Sequence, residues 1–131
     1  MSDSETKYTL TLNEEQARIL IRALDLYSRI GIGQFEEVAQ VYDRGLKLDL
    51  TTRDRIRAGL NIAKVEAGHP VNGSYGIHNE KVDDEFRVAY DLQKVVRHRL
   101  AWDHQPQGGM GVHFDTPDQS GSQPLATIVK V

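Results

Sequence analysis

Cysteine is absent from the 131 residues. That excludes disulfides, cysteine–zinc centres and a cysteine nucleophile. Aromatic residues are scarce, at 7% with a single tryptophan, so the core is expected to be small. A small core gains stability from an oligomer interface. There is no basic excess: the formal net charge is −3, unlike the balance of a duplex-DNA or RNA binder and too mild for an acidic DNA mimic. A small anionic ligand stays open, because a few arginines hold one phosphate whatever the net charge. No apolar run approaches the roughly 20 residues that span a membrane. The start, "MSDSETKYTLTL", is polar and acidic where a secretory signal has an apolar stretch. The cytoplasm is therefore the expected compartment, and Asn72-Gly73-Ser74 a chance glycosylation match.

Enzyme signatures are missing too. There is no HExxH pair for zinc and no GxSxG elbow for a serine nucleophile. Nineteen acidic residues allow many carboxylate pairs and single out none for acid–base work. The five histidines fall in the second half. His104 and His113, with Asp103 and Asp115 beside them, lack clean ligand spacing. The expectation is a protein that is not an enzyme and carries no cofactor or metal.

What is present is a run of capped helices between alternating ends. Residues 7–12, "KYTLTL", put Tyr8, Leu10 and Leu12 on one face, the pattern of a half-buried strand. Asn13 followed by Gln16 is close to a capping box. The helix it opens is expected from residue 14 to about 30. At about 100° per residue, Leu20, Ala23, Leu24 and Tyr27 share an apolar face, and Arg18, Arg22, Asp25 and Arg29 share the opposite one. "GIGQ" ends it through glycine chemistry. A shorter second helix carries Phe35, Val38, Val41 and Tyr42. A third starts at Thr51 or Thr52 as cap and stops at Gly68-His69-Pro70. A fourth, capped by Asp83 or Asp84, reaches about Trp102. Residues 110–114 and 125–131 read as two short strands in a Gly- and Pro-rich tail over 103–131. The pattern predicts one α+β domain, 1–131, with residues 1–6 disordered. About four helices would pack with a small antiparallel sheet built from the N-terminal and C-terminal strands.

The stretch "WDHQPQGGMGVHFD", residues 102–115, is the candidate site. Walker and dinucleotide loops run strand, loop, helix, with a lysine after the last Walker glycine. Here the order is helix, loop, strand, and no lysine follows. Two readings stand. In one, Gly108, Gly109 and Gly111 form a nest whose N–H groups converge on a phosphate. Arg97 or Arg99 then neutralises it, and Trp102 or Phe114 stacks on a base. In the other, the glycines make only a turn, and the arginines favour the helix dipole. Arg97 and Arg99 are two apart and point in different directions, so both reach one ligand only if a second subunit contributes. The stripe Arg18, Arg22, Arg29 is a solvated helix face with Asp25 as its salt-bridge partner, or else an interface or a ligand arm supplied by Arg29. The two-sided use of the first and fourth helices predicts a homo-oligomer of even order, dimer or hexamer.

"YTLTLNEEQARILIRALDLYSRIGIGQFEEV", a late "VAYDLQKVVRHRLAW" and a tail "GGMGVHFD" together resemble small accessory proteins of tailed phages. The likeness spans most of the chain, with "RIGIGQFEE" and "RHRLAW" its most specific pieces. In size, helical body and short C-terminal strands the chain is also similar to the phage Thoeris anti-defence sponges. That likeness implies a non-enzymatic homo-oligomer sequestering a nucleotide immune signal, such as a cyclic ADP-ribose isomer or a cyclic oligonucleotide. It maps no binding residues onto this chain. The alternative is a phage factor that docks on a host protein and needs no small ligand.

Overall fold

Four α-helices and one 3-10 turn make up the computed structural model, which describes residues 6–131. The disorder expected at the N-terminus falls, for residues 1–5, outside the described residues. Helix α1 spans Glu14–Gly31, α2 Glu37–Leu46, α3 Leu50–Glu66 and α4 Asp84–His104, and the 3-10 turn covers Val112–Phe114.

Local chemistry sets the helix ends. The Asn13 side chain accepts from Gln16 N at 2.8 Å and the Gln16 side chain accepts from Asn13 N at 2.9 Å, a complete capping box. At the other end Gln34 N donates to Arg29 O at 2.8 Å and Gly33 N to Ile30 O at 3.0 Å. These are the paired bonds of a Schellman motif. Its left-handed position, φ +97°, is held by Gly33, where a side chain would be strained. Helix α3 starts earlier than the threonines suggest. Asp49 is its cap and accepts from Thr52 N at 2.8 Å, because a carboxylate one residue ahead of Leu50 reaches the third N–H of the helix.

The expected α+β architecture is overturned: the fold is all-helical, with no strand among the described residues. Residues 7–12 run unpaired along the surface, with Tyr8 93% and Leu10 73% exposed. Residues 110–114 contain the 3-10 turn instead, where Phe114 N bonds back to Gly111 O at 3.2 Å and Gly111 takes φ +110°. Residues 125–131 end with Val129 and Val131 in solvent. Alternation supplies a strand's two faces but not its ladder, which needs a second backbone edge. Two packed helices have every mid-helix N–H and C=O already bonded and offer none.

Helices α1 and α4 share the main interface and run antiparallel. Arg18 near the start of α1 meets His104 at the end of α4, and Gly31 at the end of α1 lies against Phe86 at the start of α4. A Cβ on Gly31 would come within 2.1 Å of the Phe86 ring, so glycine is what lets the helices close there. Tyr27 packs on the same ring at 5.0 Å. The buried hydrophobics are Ala17, Ala39, Val82, Ala89, Val95 and Val96, a core of small side chains. Along α4, Asp91, Gln93 and Lys94 are buried as well. Residues 118–122 strap across that helix. The Asp91 carboxylate accepts from Ser120 N and Gly121 N, both at 2.9 Å. Lys94 Nζ donates to Asp118 O at 2.6 Å. Asp84 accepts from Ser122 N and from its hydroxyl, and these bonds hold the Asp84 carboxyl below its usual range. Among the described residues no helix is long and apolar enough to cross a membrane.

Candidate ligand-binding groove

The antiparallel pairing lays the polar stripe of α1 beside α4. On α1 the residues recur at helical spacing: Arg18, Arg22, Asp25 and Arg29. On α4 they do so again: Gln93, Arg97, Leu100 or Ala101, and His104. Between the two stripes lies an open groove of about 530 Å³, its floor made by Ile21, Leu100, Ala101 and Phe114. Eleven residues separate Arg18 from Arg29, so the arginine wall is about 16 Å long at 1.5 Å per residue. A volume of a few hundred Å³ with an apolar floor and a few directed polar groups suits a small-molecule site.

Four guanidinium groups and one carboxylate, Asp25, line this groove, in a chain whose overall charge is −3. Two of the four are tied. Arg29 Nε donates to Asp25 Oδ2 at 2.9 Å and Arg29 Nη1 to Gln34 Oε1 at 2.8 Å. The Asp25 bond raises the Arg29 pKa further above its ordinary value. At the far end Arg18 donates to Glu14, and its Nη2 lies 2.8 Å from His104 Nε2. Arg18 first, and then His104, whose Nε2 lies 3.2 Å from Glu14 Oε2, hold the Glu14 carboxyl below its ordinary range. Exposed pairs of this kind contribute little to stability, about 0.2–1 kcal/mol, and a ligand can compete for them. Arg22 and Arg97 have no carboxylate partner among the described residues. Arg97 Nε and Gln93 Oε1 are buried and lack any hydrogen-bond partner among the described residues. A buried donor or acceptor left unmade costs about 1–3 kcal/mol. One turn apart on α4, these two atoms are sealed from solvent in the wall of the groove, as is Arg99 Nε outside it.

The sequence-based candidates divide. Arg29, Arg97 and Phe114 line the groove; Arg99, Trp102, Gly108, Gly109 and Gly111 do not. Arg99 Nη2 is bound to Asp103 Oδ1 at 2.6 Å. Trp102 is occupied internally, with its Nε1 donating to Phe114 O at 3.1 Å and its ring edge-on to Phe114 at 5.6 Å. Gly108 and Gly109 pack against these rings, while Gly111 faces open space. A Cβ on Gly108 would sit 2.9 Å from Trp102, and one on Gly109 2.8 Å from Phe114. Gly108 N is already donated to Gln105 O at 2.7 Å. The loop thus folds the 3-10 turn onto α4 and sets Phe114 as the end of the groove floor. Arg18, Arg22, Gln93, His104 and His113 also line the groove without having been picked out as ligand contacts. The signal for Arg18 and Arg22 was the one-face spacing of the α1 stripe, legible only as a face and not as a face with an opposite wall. No cluster of three or more metal-ligating side chains forms among the described residues. Comparisons with protein-family models, with curated proteins and with solved structures return no match to this chain.

Proposed function

We propose that this chain is a non-enzymatic binding protein whose α1–α4 groove holds a small phosphorylated, base-bearing molecule. The single observation that carries the reading is the set of four guanidinium groups, Arg18, Arg22, Arg29 and Arg97, gathered in one groove over an apolar floor. A phosphate needs the guanidinium forks. A nucleobase offers a flat face for Phe114 and for the guanidinium planes. The sponge resemblance, which rests on size and helical body now that the strands are absent among the described residues, supplies the biological half: sequestration, in the host cytoplasm, of a nucleotide immune signal such as a cyclic ADP-ribose isomer or a cyclic oligonucleotide, by an even-order homo-oligomer. The test is calorimetry and thermal shift on the purified protein against a panel of cyclic nucleotides and cyclic ADP-ribose isomers, followed by heat release and chromatography of the ligand. Binding with unaltered release supports the proposal. A folded protein that binds no member of the panel, or returns a converted product, sinks it.

A second reading has its own support. Met110 is 98% exposed and Val112 63%, and both sit beside the groove-lining His113 and Phe114. Exposed apolar side chains at a rim suit a protein partner, as in a factor that docks on a host protein without a small ligand. Stable complex formation by the Arg97→Ala variant, equal to wild type, favours this reading over the first.

A further inference from the structure

A second pocket, of about 320 Å³, lies away from the groove. Its wall is one stripe of α3, Arg57, Asn61 and Lys64, and it is closed by the turn containing Asn72 and Ser74. Lys64 is the unusual member. Its side chain is only 5% exposed, and its nearest carboxylate, Glu36, is 3.9 Å away and half in solvent. Among the described residues no acceptor is hydrogen-bonded to that ammonium. Buried charges are ordinarily paired and hydrogen-bonded, because desolvation alone costs several kcal/mol. Arg57, two turns earlier on the same stripe, has no carboxylate partner among the described residues either. The remaining lining groups are neutral donors and acceptors: the Asn61 and Asn72 amides and the Ser74 hydroxyl.

We infer that this pocket is a second ligand site, which takes the phosphate group of a small molecule between Lys64 and Arg57. Two cations match the charge of a phosphate monoester, about −1.5 to −2 at neutral pH. The ammonium binds it as a point charge and the guanidinium as a planar fork. Glu36, half-exposed and at a long distance, swings to solvent when the phosphate enters. The site stands independently of the groove, yet one side chain touches both. Gln34 accepts from Arg29 at 2.8 Å on the groove side and donates to Ser74 Oγ at 3.5 Å on the pocket side.

The experiment is a titration of the ¹⁵N-labelled protein with inorganic phosphate, with ribose 5-phosphate and with sodium acetate, read by amide chemical shifts. Inorganic phosphate or ribose 5-phosphate, whichever source the pocket prefers, is expected to move the Asn61, Asn72 and Gly73 amides. Arg57→Ala, a change at an exposed side chain, should weaken that binding by about tenfold or more, the loss expected for one charge-assisted contact. Lys64→Met should do the same if it folds, and Arg97→Ala should leave it unchanged. The inference is overturned if neither phosphate moves those amides, if Arg57→Ala binds as wild type does, if acetate binds equally well, or if the shifts vanish in Arg97→Ala and so belong to the groove. Loss of nucleotide binding in Arg97→Ala with these shifts intact separates the two sites.

Discussion

Asp91 is the buried carboxylate that bonds the 118–122 strap to α4, and its removal tests the packing directly. The carboxylate is 4% exposed. It accepts from Ser120 N through both oxygens, at 2.9 and 3.0 Å, and from Gly121 N at 2.9 Å. Lys94 Nζ lies 3.3 Å from Oδ1. Asp91→Ala removes the acceptor for two backbone donors, each worth about 1.5–3 kcal/mol when the acceptor is charged. It also leaves the Lys94 ammonium without its carboxylate, and breaking a buried pair costs about 3–5 kcal/mol. These terms do not add in full. Lys94 keeps Asp118 O and Ser120 Oγ and the face of Tyr90 at 4.4 Å, and a strap that lifts gives its N–H groups back to water. The cost is therefore capped by the free energy of lifting residues 118–122, and about 3 kcal/mol is expected, a Tm fall of roughly 10 °C for a chain this size. Urea denaturation measures the first and calorimetry the second. Hydrogen exchange should show early loss of protection in the tail, and the groove should bind more weakly, because the strap follows the turn that carries Phe114. A variant within about 0.5 kcal/mol of wild type, the ordinary range for a surface change, would refute the claim that the strap is held through Asp91.

Arg97→Ala should lower the affinity of the groove for a nucleotide ligand by about tenfold to a hundredfold, or 1.5–3 kcal/mol, by calorimetry. Arg99→Ala should leave affinity unchanged, since Arg99 is engaged with Asp103 outside the groove; the reverse order would place the site elsewhere. Gly31→Ala puts a methyl into the Phe86 ring, 2.1 Å from Cγ, and is expected to cost about 3 kcal/mol by overpacking, read from the denaturation midpoint; no loss would mean that the α1–α4 crossing lies elsewhere. Asn13→Ala should cost about 1 kcal/mol through loss of the cap, with circular dichroism melts as the measure and a neutral result counting against the capping box. Stability should fall in acid. Glu14 is held low by Arg18, Asp49 by the Thr52 N–H and Asp84 by Ser122. A carboxyl with a depressed folded-state pKa stabilises above its ordinary value, about 4, and loses that contribution as the pH falls through the folded-state value. Urea midpoints that stay flat from neutral pH to below about 4 would contradict those three contacts.

The sequence alone determined both ends of α1 and roughly where the other helices lie, though α3 begins at the Asp49 cap and not at the threonines. Asn13 with Gln16, and the glycines after residue 30, act within one turn of chain, through bonds between residues three to five apart. Such bonds need no tertiary context, so the start of α1 and the four-helix count were legible; Asp83 does precede α4, but its side chain makes no cap bond. The arginine stripe was legible as one face of α1 for the same reason, since helical periodicity is local. Tertiary structure decided the rest. A strand's hydrogen bonds go to another segment, so the alternation of residues 7–12 and 125–131 stated a potential that no partner edge fulfils. Asp91 and Lys94 look like solvent-facing residues until a strap 30 residues later covers them. The glycines at 108 and 109 look like a phosphate nest until Trp102 and Phe114 are seen packed on them. The groove itself exists only because α1 and α4, separated by some fifty residues of chain, lie antiparallel, so that Arg22 faces Arg97 across a gap that neither helix encodes by itself.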